Sequence, residues 1–144
     1  MTRDTFTHTL RRRILDRLIA PPTRLGLAGK HMHVLTVRGR RTGRRYSTPV
    51  KLVIDGDRRW LVAPYGEREW VKNARAAGEV ELTRALRTTR HPVEEGAPAE
   101  AAPVLREYLR TTPIVKRFFD VGRDSPLEEF AAEAPRHPVF RVVD

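Results

Sequence analysis

The chain has 144 residues, which is enough for one domain, and its hydrophobic content of 40% is sufficient for a single core. It contains no cysteine, which excludes disulfides, iron–sulfur clusters, thiolate zinc sites and cysteine nucleophiles. Lys and Arg number 28 against 18 Asp and Glu, and the excess of positive charge lies within residues 1–90. The charge therefore predicts a polyanionic partner, such as nucleic acid, an anionic membrane surface or a phosphorylated ligand.

Residues 1–22 are predicted to form a separate element, a basic amphipathic helix. Leu10, Ile14 and Leu18 recur at helical spacing, the arginines lie mostly on other faces, and Pro21 ends the pattern. Such a helix packs on a domain or lies on anionic lipid. No apolar run approaches the ~20 residues that span a bilayer, and the polar start lacks a signal-peptide core. We therefore expect a cytoplasmic protein, with peripheral contact to the inner face of the membrane as the alternative.

Residues 23–144 are predicted to form a single domain in which strands come in hairpins. The predicted strands span residues 34–37, 47–54, 59–63, 79–84, 86–94 and 138–142. The predicted helices span residues 67–77, 98–110 and 114–119, and a last one runs to Ala134 from a capping box at Ser125-Pro126-Leu127-Glu128. This order indicates an α+β fold with a mostly antiparallel sheet, and so many short strands tend to close into a barrel.

The turn between the first two strands, residues 38–45, is the densest candidate site, with the sequence RGRRTGRR. Gly39 and Gly43 allow backbone conformations in which successive N–H groups face one anion, and Thr42 adds a hydroxyl donor. Arginines bind phosphate or carboxylate in a bidentate manner. The spacing is not that of a Walker A loop. From the spacing alone, an anionic ligand and a merely solvated basic turn are equally well supported.

Trp70 and Asn73 form a second candidate, because residues three apart share a face of the predicted helix. An aromatic ring and an amide on one face can hold a planar heterocycle. The alternative is structural, with Trp70 in the core and Asn73 bracing a loop. A metal site is not expected, since His31 and His33 have no carboxylate nearby at ligand spacing.

Three segments together resemble a known family. They are VRGRRTGRRYSTP at residues 37–49, DGDRRWLVAPYG at residues 55–66 and EWVKNARAAG at residues 69–78. This combination is similar to the deazaflavin-dependent nitroreductase and quinone reductase family, whose members use coenzyme F420 and are common in actinobacteria. The resemblance covers most of the chain and implies a split β-barrel, related to that of flavin mononucleotide (FMN) oxidases, with flanking helices.

The resemblance also implies a cofactor site. Arg41 and Thr42 match residues that bind the coenzyme's phosphate and oligoglutamate tail, whereas Pro49 and Ala63 match residues that line the deazaflavin ring. The loop before the Trp-x-x-Asn helix is shorter than in many members, so a tail contact is either lost there or supplied by Arg68. The cofactor-binding residues implied are Arg40, Arg41, Thr42, Gly43, Arg45, Pro49, Ala63, Pro64, Tyr65, Gly66, Trp70 and Asn73.

The activity implied is hydride transfer from C5 of the reduced deazaflavin to an electron-poor acceptor, which is a quinone, a nitro compound or an activated alkene. Tyr65 is the candidate catalytic residue, as a proton donor or as a group that orients the acceptor, with water as the alternative proton source. The expected partner is thus a small-molecule electron acceptor. We expect a monomer or a homodimer, with no metal and no nucleic acid.

Other functions stay open at this point. The same fold can bind FMN or haem, or a lipid without catalysis, although a shorter ligand tail leaves some arginines of the turn without an obvious partner. A basic nucleic-acid-binding protein needs aromatic residues among the basic ones, and the turn has none before Tyr46. A titration with deazaflavin and with FMN distinguishes an F420-dependent reductase from an FMN-binding protein. Binding that weakens steeply with added salt would indicate nucleic acid instead.

Overall fold

The computed structural model describes residues 30–122 and 124–143. The helix predicted within residues 1–22 lies outside the described residues and stays a prediction. The strands of the described part are β1 (Met32–Arg38), β2 (Arg45–Lys51), β3 (Val53–Asp55), β4 (Arg58–Val62), β5 (Glu79–Arg84), β6 (Arg87–Glu95) and β7 (Val139–Val142). The helices are α1 (Glu69–Ala77), α2 (Pro98–Thr111), a 3₁₀ helix (Pro113–Phe118) and α3 (Leu127–Glu133).

The strands form one antiparallel sheet that curls back on itself. The order across the sheet is β2-β1-β5-β6-β7-β4-β3. Its edge strands, β2 and β3, are separated by a single residue, so they are consecutive halves of one stretch of chain. The first half pairs with β1, from Arg38↔Arg45 to Met32↔Lys51, and the second half pairs with β4. The sheet is thus a split barrel, in agreement with the predicted α+β architecture.

The prediction of one continuous strand over residues 47–54 is wrong at Leu52. Its side chain is 1% exposed, and its backbone N–H donates to the carbonyl of His31 at 2.7 Å, just before β1 begins. This break directs the chain from one side of the barrel to the other. Apolar alternation cannot reveal it, because Val50, Leu52 and Ile54 all continue the same pattern.

Two apolar cores lie on the two faces of the sheet. The barrel interior holds one, and α1 adds Val71 and Ala74 to it at one end. The second lies outside the barrel, where α2 and α3 cover β4 and β7. Adjacent residues of β4 show the alternation, since Leu61 belongs to the inner core and Trp60 to the outer one.

The ends of α1 and α3 differ in how well the sequence predicts them. Gly78 ends α1 as predicted, with φ +72° and its N–H bonded to the carbonyl of Ala74 at 2.8 Å. The capping box predicted at Ser125 is wrong, because Pro126 is the N-cap residue of α3. The Ser125 hydroxyl instead accepts a hydrogen bond from the N–H of Gly122 at 2.9 Å. The serine therefore stabilises the preceding turn rather than the helix.

A buried histidine lies at the start of β1, at the opposite end of that strand from the basic turn. His33 is 8% exposed. Burial lowers the pKa of His33 below its ordinary value of 6.5, and the nearby charges of Arg59 and Arg84 act in the same direction. The folded chain therefore keeps His33 neutral at pH values at which the unfolded chain protonates it.

The free energy of unfolding is accordingly expected to fall as the pH drops below 6.5. The unfolded state then binds a proton that the folded state does not, and the loss continues down to the lowered pKa of folded His33. Urea denaturation of the wild type and His33→Leu, between about pH 7.5 and pH 5, checks this. The variant should lose less stability over that range, and an identical pH dependence in both proteins would contradict the assignment.

Candidate functional site

The basic turn between β1 and β2 is docked onto α1 through Arg40. Oδ1 of Asn73 accepts two hydrogen bonds from Arg40, from its backbone N–H at 3.1 Å and from Nη1 at 2.8 Å. Nη1 of Arg40 also donates to Oε2 of Glu69 at 2.9 Å. Asn73 is only 5% exposed, so water competes weakly for these bonds. The arginine turn and the Trp-x-x-Asn helix, two separate motifs in the sequence, are therefore parts of one structure.

The docking leaves other cations of the turn facing water. Arg41 and Arg44 are exposed, and neither has a carboxylate at ion-pair distance in the described part of the chain. The hydrogen bond from Arg40 is the main reason that the pKa of Glu69 is lowered, and the charges of Lys72 and Arg41 add to it. Several cations thus surround one carboxylate, which leaves a net positive charge at this end of the barrel.

The shape of the turn depends on its two glycines. Gly43 has φ +73°, in the left-handed region, and its N–H donates to the carbonyl of Gly39 at 2.9 Å. A Cβ atom on Gly39 would lie 2.7 Å from the ring of Tyr46, so a side chain at this position would require that ring to move. Oγ1 of Thr42 accepts a hydrogen bond from the N–H of Arg44 at 3.2 Å. The hydroxyl proton of Thr42 is then available for a ligand.

Arg45 and Pro49 lie in β2, beyond the turn. Arg45 forms an ion pair with Glu81 of β5, so much of its charge is already neutralised. Pro49 pairs with Val34 of β1. An open groove of about 350 Å³ follows this part of the sheet, and Arg45 lines it together with Thr36, Ser47 and Thr83. Of the two predicted residues, Arg45 therefore lines the groove, whereas Pro49 is not among its lining residues.

The Ala63-Pro64-Tyr65-Gly66 loop leads from β4 towards α1. Ala63 is 1% exposed, and its N–H donates to the carbonyl of Pro138 at 2.9 Å, so it offers almost no surface to a ligand. Gly66 has φ +91°, and its N–H reaches the carbonyl of Ala63 at 3.2 Å. This tight turn brings Tyr65 to the surface, with 51% of the residue exposed. Tyr65 is thus the most accessible of these four predicted residues.

Trp70 closes the barrel end near the start of α1. It is half-buried and packs against the inner core, with its ring 6.2 Å from the ring of Phe140 at an angle of 53°. Because Trp70 and Asn73 are three residues apart on one helix, the indole lies on the side of α1 that carries the docked turn. Trp70 therefore contributes to the core without being fully buried, and the reading in which it holds a planar heterocycle stays a prediction.

Tyr65 contacts aromatic residues from the C-terminal half of the chain. Phe118 meets it edge to face, with ring centroids 4.9 Å apart, and the guanidinium of Arg68 lies 5.8 Å from its centroid. Burial raises the pKa of Tyr108 to about 12, and Tyr65 adds to that effect. Tyr108 keeps its proton at neutral pH and is buried, so Tyr65 is the phenol of the two that a ligand can reach.

A buried acid that the sequence reasoning missed holds the C-terminal segments together. Glu133 is 1% exposed, and its Oε1 accepts a hydrogen bond from the N–H of Asp120 at 2.7 Å. Its Oε2 lies 3.1 Å from Nη2 of Arg136 and 3.3 Å from Nε2 of His137. The His137 ring in turn stacks on Phe119 with centroids 3.9 Å apart. The available signal was the spacing of Glu133 and His137, four residues apart at a helix end.

Metal binding and membrane crossing were the two remaining questions for the described residues. No group of three or more His, Asp or Glu side chains in residues 30–122 and 124–143 is placed to hold a metal ion. None of the helices in those same residues has the length and the apolar character that crossing a bilayer requires.

A model of the F420H2-dependent quinone reductase family matches residues 16–115, which is more than half of the chain. The chain belongs to this family. It is therefore an oxidoreductase that depends on reduced coenzyme F420, and the resemblance inferred from the sequence is confirmed. The matched range contains both the basic turn and the Trp70–Asn73 motif. None of the curated proteins compared with the chain matches it.

Solved structures with low sequence identity share the fold. The structure of an F420-H2 dependent reductase, FDR-A, has a TM-score of 0.55 at 16% identity. The alignment spans 78% of this chain and 94% of the FDR-A chain. A domain-swapped dimer has a TM-score of 0.59 at 16% identity, over 94% of this chain and 98% of that one. A heme binding protein from Mycobacterium smegmatis has a TM-score of 0.55 at 13% identity, over 83% of this chain and 48% of that one. At such identities these likenesses establish the split-barrel fold alone.

Proposed function

We propose that this reductase uses reduced F420 to reduce a quinone, with nitro compounds and activated alkenes as further acceptors, and that the cofactor binds at the basic turn. The observation that carries the proposal is the docking of the turn onto α1 by Asn73, which places Arg41 and Arg44 together in solvent. Membership of the F420H2-dependent quinone reductase family supports a quinone as the first acceptor.

The residues of the turn fit a coenzyme with a phosphodiester and several carboxylates. Arg41 and Arg44 supply guanidinium groups whose planar N–H pairs match such oxygens, and Thr42 supplies a hydroxyl proton. Lys72 of α1 adds a further exposed cation, 3.9 Å from Glu69. Gly43 supplies the left-handed backbone that shapes the turn, but its N–H is bonded to the carbonyl of Gly39, so the side chains rather than an N–H cradle would hold the anion. Arg44 and Lys72 therefore join the residues that the family resemblance implies for the cofactor tail.

The other predicted residues fix the turn or provide apolar surface for the ring of the cofactor. Arg40 is bound to Asn73 and Glu69, so in our proposal it fixes the turn rather than contacting the ligand first. Trp70 supplies an apolar, half-buried wall at the barrel end, which excludes water from one side of a bound ring. Pro49 offers a rigid apolar surface on β2, where it pairs with Val34 of β1.

When bound, the reduced deazaflavin supplies a hydride, and the reduced acceptor then needs a proton. Tyr65 is the candidate to donate that proton or to orient the acceptor, because its phenol is exposed on the loop before α1. Its ring is held by Phe118 on one side and by Arg68 on another. A phenol with a fixed ring can point its O–H at one acceptor oxygen, which is the requirement for general acid catalysis.

The proposal is tested by following the oxidation of reduced F420 with a soluble naphthoquinone, a nitroaromatic and an enone. The quinone is expected to give the highest kcat/KM. Tyr65→Phe should lower kcat by about a hundredfold with little change in KM if the phenol donates the proton. Tyr108→Phe, which removes a buried hydroxyl, serves as the control. Unchanged turnover in Tyr65→Phe assigns the proton to water, and no turnover with any acceptor would overturn the proposed reaction.

We propose a cytoplasmic homodimer as the working assembly, with a monomer as the alternative. The support for a dimer is the structurally similar domain-swapped dimer. The arginine-rich sequence of residues 1–22 supports a peripheral contact with the inner face of the membrane.

A further inference from the structure

The 3₁₀ helix, Pro113–Phe118, presents side chains that the proposed hydride transfer does not use. Ile114 is 79% exposed, more than any other large hydrophobic residue in the described part of the chain. Phe118 is 41% exposed and meets the exposed ring of Tyr65, so apolar surface continues from the helix to the loop before α1. An aliphatic and two aromatic side chains in water at one place are typical of a binding surface.

Cations accompany these apolar side chains. The guanidinium of Arg117 lies 4.9 Å from the ring centroid of Phe118, and Lys116 and Arg117 are both exposed. Within residues 30–122 and 124–143, neither is at ion-pair distance from a carboxylate. The 3₁₀ helix itself contains no acidic residue. Apolar side chains interleaved with unneutralised basic ones are the pattern of a segment that lies in the interface of an anionic bilayer.

The 3₁₀ helix that carries these side chains is held in place by the rest of the domain. Val115, the central apolar residue of the helix, is 2% exposed and belongs to the outer core. Before the helix, Nζ of Lys51 donates to the carbonyl of Thr111 at 3.0 Å and to Oγ1 of Thr112 at 2.8 Å. The helix is thus anchored from the core and from β2, so its exposed side chains do not need to be ordered when they bind.

We propose that this surface, defined as Tyr65, Ile114, Lys116, Arg117 and Phe118, binds the surface of an anionic lipid bilayer. The apolar side chains enter the headgroup region, while the two cations contact lipid phosphates. The positive charge of this surface disfavours the same surface of a second copy of the chain as its partner, because that surface is positive as well. Nucleic acid would gain little from contact with an exposed isoleucine.

The location gives the binding a consequence for catalysis. Tyr65 belongs both to this surface and to the candidate acceptor site, so an apolar acceptor dissolved in the bilayer reaches the site without crossing water. This consequence rests on the proposed function. The lipid binding itself does not, and it is measured without coenzyme or acceptor, so the two can fail separately.

Flotation of the full chain with phosphatidylcholine vesicles, with and without phosphatidylglycerol, tests the proposal. Binding is expected only to the anionic vesicles and should weaken with salt. Ile114→Asp should weaken it about tenfold, and Lys116→Gln with Arg117→Gln by about thirtyfold. Ile114→Trp should strengthen it, because indole favours the interface. Leu86→Asp is the matched control, since Leu86 is 76% exposed on the β5–β6 turn.

Failure of the wild type to bind anionic vesicles overturns the proposal. So does binding that is unchanged by the substitutions at Ile114, Lys116 and Arg117, because residues 1–22 or another segment then account for all of it. An equal loss in Leu86→Asp and Ile114→Asp also overturns it, since the effect is then not specific to this surface. All variants change exposed residues, and circular dichroism confirms that each is folded.

Discussion

Replacement of Glu133 by alanine is expected to lower the free energy of unfolding by about 3 kcal/mol. The carboxylate is 1% exposed and satisfies the N–H of Asp120, and it lies at ion-pair distance from His137, which is itself 4% exposed. Its removal takes the acceptor away from the Asp120 N–H, removes the carboxylate that faces the buried His137, and opens a cavity. For a domain of this size, the loss should appear as a decrease of roughly 10 °C in Tm.

Two further variants separate the buried contacts of Glu133 from a general helix effect. Glu133→Gln keeps an oxygen that can accept from Asp120 but loses the negative charge, so its loss should be about half as large. Glu128→Ala changes an exposed acid in the first turn of the same helix, α3, and should cost about 0.5 kcal/mol or less. If Glu133→Ala were no more destabilising than Glu128→Ala, the buried role given to Glu133 would be incorrect.

Asn73→Leu is expected to weaken F420 binding about tenfold or more. The amide oxygen of Asn73 receives two of the three hydrogen bonds that dock Arg40 onto α1, one from the backbone and one from the guanidinium. Leucine has a similar size but accepts neither, so only the exposed ion pair with Glu69 still holds the turn against α1 and its arginines are less well positioned. Isothermal titration of the folded variant with F420 measures the loss.

The matched control for Asn73→Leu lies on the outer side of the same helix. Arg75 binds Glu67 and Glu95 through exposed ion pairs, with 39% of its side chain accessible. Arg75→Gln should change the stability of α1 by less than about 1 kcal/mol and leave the F420 affinity as it is. Equal affinities of Asn73→Leu and the wild type would show that the docked turn does not hold the coenzyme.

Local sequence signals predict much of the fold. The Asp55-Gly56-Asp57 turn forms the β3–β4 hairpin, with Gly56 at φ +61°, and Gly78 ends α1. The same signals fail where tertiary contacts override them. The break at Leu52 comes from closure of the barrel, and Ser125 is used by the turn at Gly122 rather than by a helix. Neither requirement is visible in a short window of sequence.

The candidate site shows the same division. The sequence identifies the arginine turn and the Trp-x-x-Asn motif, but only the fold shows that Asn73 joins them. It also shows that Arg40 and Arg45 are bound to Glu69 and Glu81, whereas Arg44 is exposed. Ion-pair partners far apart in the chain decide which arginines are available to a ligand, and no local pattern carries that information.

The most direct test of the account is a tryptophan-fluorescence titration of the purified chain with F420, with FMN titrated in parallel. Trp70 is the half-buried indole beside the docked turn, whereas Trp60 is 5% exposed in the outer core. We predict saturable quenching by F420 and none by FMN at the same concentrations. Quenching by FMN alone would keep the fold but replace the cofactor, and no response to either ligand would contradict the assignment of this site.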